Sequence, residues 1–370
     1  MDEIVPAMAQ KITQWLLISL VLTLGFGQLL RFTTPLGTLY THDLLVSAIL
    51  VINIPTILSH LRYAANDLKK SGLVLILGGL ILGWLRALTL YPIHSLLTPF
   101  LYTVRLLAYL LLLSAVRKGK YKIPLRYFLV SGLVALSIGY LQYFAMPDMR
   151  WARVLGWDDH LNRLTMPHFD PTFSGVMLSL FALLAIDAKK YLFAVLAAPA
   201  VLLTYARSIW VSLLAAFVPR LRFVGVVIAA LCVLGAALLL PKRFGEGTNL
   251  LRTFSISARY NEDASVVKNL GWNLITGVGL NTFSQNTISE KGFPNHATGP
   301  NDSYLYILAT CGVIGLIGWG IFLKDIYVHS HHKTSVLFIL VASLFNNVLF
   351  YPFAMLWMFL LETTDSRSGS

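Results

Sequence analysis

Arg207 opens an apolar run, "LLTYARSIWVSLL" (202–214), with Ser208 and Trp210 close behind it. The free N–H groups of a helix N-terminus and the positive end of its dipole favour an anion, and a guanidinium there adds a planar fork of donors that fits phosphate oxygens. The same position also suits an anchor at the lipid headgroups. A second polar mouth stands in "TGPNDSYLYILATCGVIGLIGWGIFLK" (298–324), which is turn-forming through Ser303 and apolar from Tyr304. Asn301, Asp302, Ser303 and Tyr304 crowd the start of that run. Arg86 and Arg105 fall inside apolar stretches, where a charge costs at least about 2.5 kcal/mol unless it is paired or hydrated. Arg105, about nine residues or roughly 13 Å into its helix, reads either as one half of a buried pair or as a functional cation. Arg86 lies near enough to an edge to snorkel.

The elements that must carry these residues follow from composition. Of 370 residues, 56% are hydrophobic and 12% charged, with mean hydropathy +0.70, whereas soluble domains carry about a quarter charged residues. An all-α polytopic integral membrane protein is expected, one transmembrane domain over 1–365 with no separate soluble domain. Residues 366–370, "SRSGS", read as a cloning remnant. About twelve transmembrane helices are predicted, over 12–30, 43–60, 72–91, 96–115, 125–145, 172–187, 191–205, 207–219, 223–240, 303–323, 334–350 and 352–363, the apolar runs being of the length that crosses about 30 Å of hydrocarbon. No small-x-small site follows the first, so it does not read as a cleaved signal peptide.

Lys and Arg fall in alternate loops, at Arg62, Lys69 and Lys70, at Arg117 to Arg126, at Lys189 and Lys190, at Arg220 and Arg222, and at Lys324 and Lys333. The positive-inside preference makes those loops and both termini cytoplasmic. Segment 146–171 and the large loop 241–302 then face outward. The large loop is too long for an ordinary connection. It holds an amphipathic stretch, "SARYNEDASVVKNLGWNLI" (257–275), with Tyr260, Val267, Leu270 and Trp272 spaced to lie on or against the membrane surface. The net charge of +12 belongs mostly to the cytoplasmic collar facing the lipid bilayer, and no basic face with interleaved aromatics supports nucleic-acid binding. Cys232 and Cys311 sit inside predicted spans and support neither a disulfide framework nor a cysteine metal site. Gly277 and Gly279 in "TGVGLNTF" read as a tight turn pressing the loop onto the bundle, since no βαβ pattern surrounds them.

Four stretches, in order, resemble the O-antigen ligase and O-antigen polymerase family of bacterial envelope glycosyltransferases. They are "RLTMPHFDPTFSGVMLSL" (163–180), "TYARSIWVSLL" (204–214), "SARY…GWNLITGVGLNTF" (257–283) and "NDSYLYILATCGVIGL" (301–316). The first 150 residues match only in hydropathy. Ligases of the family place a His before a polar residue that is followed by nine residues and then Gly-x-x-Gly. Here that spacing holds from Asp302 to Gly312 and Gly315, but Asn301 occupies the His position, which favours the polymerase branch.

The resemblance implies a metal-independent inverting transferase, without cofactor, in the bacterial inner membrane. It would take a glycan from a polyprenyl-diphosphate-linked oligosaccharide on the periplasmic face. The acceptor is another lipid-linked glycan or lipid A core, and a chain-length regulator protein is a further expected partner. Two arginines bind the donor diphosphate in the family, and the matching positions are Arg207 and Arg259. A leaving diphosphate needs cationic stabilisation, to which Arg163 and Arg105 would add. Arg163 reads equally as a headgroup anchor beside Trp151 and Trp157. Asp302 or His296 would orient or deprotonate the attacking hydroxyl, with Asn301 and Tyr304 beside them as substrate contacts. Asp at a helix start is equally a favoured N-cap, and a loop His is often only solvated. Gly312 and Gly315 would allow close helix packing below that mouth. Two other classes remain open, a lipid-linked glycan flippase, and the peptidoglycan-polymerising family of shape and division proteins.

Overall fold

The computed structural model describes residues 7–55, 57, 72–221, 223–242, 244–283 and 299–364. Among these, the helices run in the order α1 (Ala7–Leu24), α2 (Thr41–Ile52), α3 (Leu73–Leu90), α4 (Leu97–Gly119), α5 (Leu125–Ala145), α6 (Pro171–Asp187), α7 (Tyr191–Leu203), α8 (Arg207–Phe217), α9 (Phe223–Leu239), α10 (Phe254–Leu270), α11 (Asn273–Thr276), α12 (Ser303–His329), α13 (Lys333–Ala342) and α14 (Pro352–Leu360). By length and composition α3, α4, α5 and α12 can cross a membrane, and eight further apolar helices are shorter. This is the make-up of a membrane-embedded helical protein, and an apolar helix lies in each predicted span.

Two predicted spans end early, each for a local reason. α1 stops at Leu24 because Gly27 adopts φ +52, a left-handed turn in which a Cβ would collide with the Pro167 carbonyl and the His168 ring. A short 3-10 turn (Gly27–Leu30) leads into a hairpin, β1 (Arg31–Thr34) with β2 (Gly37–Tyr40), in which Arg31 pairs with Tyr40. The predicted span over 334–350 breaks after Ala342. Pro352 forces the preceding Tyr351 into extended backbone (φ −75, ψ 113), and Asn346 and Asn347 favour turns, so residues 343–351 form an irregular segment.

Contacts between loops sort them into two ends. At one end the Ile123 N–H donates to the Thr363 carbonyl (2.8 Å), Arg220 pairs with Asp187 (2.8 Å), and Asp187 faces His332 (3.0 Å). There Arg117 also grips Glu362 and Asp325, each at 2.7 Å. The other end gathers Gln28 with Pro167 (2.9 Å), Leu164 with Leu203 (2.9 Å) and Ser303 with Ser343 (2.8 Å) through backbone bonds. Tyr205 there donates its hydroxyl to the Pro241 carbonyl (2.7 Å).

Between the ends, α14 is the central post, buried from Phe353 through Leu360. Burying an apolar side chain of this size is worth roughly 1.5–3 kcal/mol in water. Within lipid the gain comes instead from packing. α3 lies along α12 on a glycine seam, with Gly79 against Gly315 and Gly318 against Ile76, where added Cβ atoms would meet backbone. Gly312 departs from the packing role expected of it. It is non-helical (φ 66, ψ −175) and kinks α12 where the Ile275 carbonyl approaches. The Gly277–Gly279 turn fills that kink, its Val278 and Gly279 N–H groups donating to the Ala309 and Thr310 carbonyls, both at 3.0 Å.

Candidate functional site

A cavity of about 380 Å³ opens at the end opposite Arg117. One wall comes from the hairpin region and α4, with Gln28, Thr38, Tyr40, Tyr102, Arg105 and Tyr109. A second comes from α10 and the mouth of α12, with Arg259, Asn281, Asn301 and Tyr306. The irregular 343–351 segment supplies Asn346, Asn347, Phe350 and Tyr351, and the loop before α6 adds Trp157, Asp158 and Asp170.

The arginines predicted from sequence fall into distinct settings. Arg105 lines the cavity while its Nη2 lies 2.9 Å from Asp43 Oδ2, so it is one half of a buried pair at the cavity wall. Asp43 also accepts from the Tyr109 hydroxyl (2.5 Å) and the Tyr40 N–H (2.8 Å), and the Arg105 guanidinium lies over the Tyr40 and Tyr102 rings at 5.2 and 4.9 Å. Arg259 lines the cavity and donates to the Phe345 carbonyl at 3.0 Å. Arg207 stands outside the lining. Its two Nη atoms donate to the Leu250 (2.7 Å) and Arg252 (2.8 Å) carbonyls, so its fork holds the loop that precedes α10.

Arg163 is only 8% exposed and donates Nε–H to the Thr204 carbonyl at 2.8 Å, which makes it a buried cation rather than a headgroup anchor. Burial, followed by the charge of Arg252, presses its pKa down to about 9, Asp170 opposing and Arg259 and Arg207 adding to the effect. Arg252, which the sequence reading passed over, donates to the Gly247 (2.6 Å), Asn249 (3.0 Å) and Tyr205 (3.3 Å) carbonyls. These bonds end on neutral carbonyls, and Asp170 is the carboxylate whose charge acts on Arg163. Asp170 meanwhile caps α6, accepting from the Thr172 and Phe173 N–H groups at 2.7 and 2.9 Å, with His160 at 3.7 Å.

Asp302 is an N-cap, its Oδ1 accepting from the Tyr304 (2.6 Å) and Leu305 (3.0 Å) N–H groups. Burial nonetheless raises its pKa against those two bonds. α10 sets two more carboxylates nearby. Glu262 accepts from Asn301 Nδ2 at 2.9 Å, and Asp263 keeps a buried Oδ1 with no hydrogen-bond partner. Burial and then the Asp302 charge raise the Asp263 pKa, and burial and then Asp263 raise that of Glu262. Sequence spacing assigned this helix only a membrane-facing surface. Tyr260, Val267 and Trp272 are exposed in that way, Leu270 is buried, and the acidic face turns to α12. Tyr304 points away from the cavity, its hydroxyl donating to the Leu340 carbonyl at 2.9 Å, and Tyr306 lines the cavity instead. His296 lies outside the described residues.

Asn346 and Asn347 were legible as two amides inside an apolar run, and Asp263 as a charge next to Glu262 on a predicted helix. Comparison with protein-family models finds no match for this chain, and comparison with curated proteins finds none either.

Proposed function

We propose that the protein is an inverting, metal-independent glycosyltransferase that takes a glycan from a polyprenyl diphosphate on the periplasmic face of the bacterial inner membrane, as a polysaccharide repeat-unit polymerase. The observation that carries this reading is Arg259 in the cavity lining, with Arg163 and Arg207 nearby and bonded to neutral carbonyls, and Glu262, Asp263 and Asp302 beside the lining residue Asn301. In the displacement, the acceptor hydroxyl oxygen bonds to the anomeric carbon while the bond to the diphosphate oxygen breaks. The diphosphate leaves with that electron pair, stabilised by Arg259 at the cavity and by the field of Arg163, Arg207 and Arg252. The hydroxyl proton passes to Asp302, whose Oδ2 is not used in the cap, with Asp263 beside it. His296 is the other candidate base.

The topology proposed with it has twelve spans in one domain over 1–365, both termini in the cytoplasm and the 241–302 loop outward. α8 and α13, with 11 and 10 residues, rise about 15–17 Å, roughly half the hydrocarbon thickness. The cavity floor then sits within the membrane's depth, and irregular backbone such as 343–351 is tolerated there where it is buried or lines an aqueous space. Incubating the purified protein with lipid-linked repeat units alone tests the reaction. Lengthened lipid-linked chains support the polymerase, transfer only after lipid A core is added identifies a ligase, and no transfer in either case overturns the transferase. A cysteine replacing Thr248 should be labelled in whole cells without opening the inner membrane.

A further inference from the structure

The hairpin of β1 and β2 has two unlike faces. Cross-strand partners share a face, and Arg31 with Tyr40 and Thr33 with Thr38 make one of them. That face turns inward, because Thr38 and Tyr40 line the cavity and the Arg31 guanidinium lies over the ring of Trp157, another lining residue, at 5.9 Å. Phe32 and Leu39 make the other face and are 52% and 36% exposed, with Leu36 at the turn exposed as well. Gly37 rests against Thr98 and Tyr102 of α4, and the exposed Leu97, Leu101 and Val104 form the neighbouring stripe of that helix. The apolar face of the hairpin thus lies next to the outer surface of a helix long enough to cross a membrane.

Height along α4 fixes where this face sits. Thr98 and Tyr102 stand 19 and 15 residues from Arg117 at the basic end, or about 29 and 23 Å at 1.5 Å per residue. Tilt of the helix would only reduce those heights. Hydrocarbon is about 30 Å thick, so the turn of the hairpin is level with its outermost layer. The free edge of β2 is satisfied accordingly. The Tyr40 N–H donates to Asp43 Oδ2 at 2.8 Å and the Thr38 carbonyl accepts from Arg105 Nη2, the two members of the buried pair. A strand edge in water is satisfied by solvent, whereas one at membrane depth must be satisfied within the protein. We propose that Phe32, Leu36 and Leu39 are immersed in the acyl chains of the leaflet at the cavity end, so that the segment between the first two predicted spans is a lipid-contacting element and not an aqueous loop. One layer of backbone then separates the cavity from the bilayer. The inference rests on the membrane-embedded fold and is independent of the transferase reading.

The test uses the full chain with its exposed cysteine removed as Cys232→Ser, Cys311 being buried. A nitroxide is attached at Phe32→Cys, Leu39→Cys, Thr33→Cys or Leu101→Cys, and each variant is reconstituted into vesicles of phosphatidylethanolamine and phosphatidylglycerol. Power-saturation EPR reads collisions with oxygen, which concentrates in hydrocarbon, and with trioxalatochromate, a charged complex that stays in water. Labels replacing Phe32 and Leu39 should match the Leu101 label in oxygen contact and meet the anion at least about tenfold less often than free label in buffer. The Thr33 label, on the inner face, should stay open to the anion. Anion contact at Phe32 and Leu39 equal to that at Thr33 overturns the proposal. Exclusion of both reagents there overturns it too, because a protein surface, a second copy included, would then cover the face. Elution profile and unfolding midpoint establish that each variant is folded, and Leu36→Cys takes the place of either hairpin variant that misfolds.

Discussion

Arginines at the two ends of this molecule are held in different ways. At the basic end Arg117 forks onto the Glu362 carboxylate and reaches Asp325, and Arg220 meets Asp187. At the cavity end Arg163, Arg207 and Arg259 are held by carbonyls of Thr204, Leu250, Arg252 and Phe345. A carboxylate partner cancels charge as well as satisfying donors, whereas a carbonyl satisfies donors and leaves the charge in place. The first arrangement ties loops together, and in the proposed transferase the second would supply the positive field for the diphosphate.

The sharpest way to break this contrast is Arg259→Ala, expected to lower glycan transfer about 10²–10³-fold while the unfolding midpoint stays near wild type. Near-normal turnover would remove Arg259 from the mechanism. Arg207→Ala should lower transfer and also loosen the 250–252 loop, with Lys a poor substitute because it loses the fork. Proteolysis within that loop reports the second effect.

Arg117→Ala should act the other way, costing about 2 kcal/mol of stability, a figure kept modest because the side chain is 32% exposed. Turnover per folded molecule should be unchanged, and a loss of turnover at unchanged stability would erase the distinction between the ends.

Inorganic diphosphate at ten times its Kd should stabilise the wild type by about 1.4 kcal/mol. Arg259→Ala should lose that gain and Arg117→Ala should keep it, as thermal unfolding would record.

The smallest effect concerns Asp302. Its pKa is raised by burial above the ordinary 3.8, so its stability contribution is present below that value and is lost as pH rises through the raised pKa. Asn caps equally well and does not titrate. Asp302→Asn should therefore gain stability relative to wild type as pH is raised through that window, and an unfolding series across pH measures it. In transfer assays, an active Asp302→Asn alongside a dead His296→Ala would assign the base to His296.

The apolar segments were legible because hydropathy over a helix length is a strong signal, and the caps at Asp170 and Asp302 because Asp before a helical run has few other local uses. The hairpin was not. Phe32 and Leu39 continue the apolar character of α1, and the left-handed backbone at Gly27 with the short turn through Leu30 separates helix from strand. The 343–351 break was hidden in the same way by Leu344, Phe345, Val348, Leu349 and Phe350, although Asn346, Asn347 and Pro352 were in view. Of the residues that line the cavity, the sequence had singled out Arg105, Arg259 and Asn301. It could not rank Arg207 against Arg252, because what separates a cavity residue from a loop clamp is which carbonyl the guanidinium meets.

Gln28 and Met355 both line the cavity, yet the chain must grow by 327 residues between them. At roughly 5–20 residues per second that takes about 16–65 s. Throughout that interval the early amide waits without Tyr351, and the glycine seam of α3 waits without α12. The cavity is therefore among the last parts of the protein to come into being during synthesis, and a ribosome-bound chain halted before α14 would still lack one of its walls.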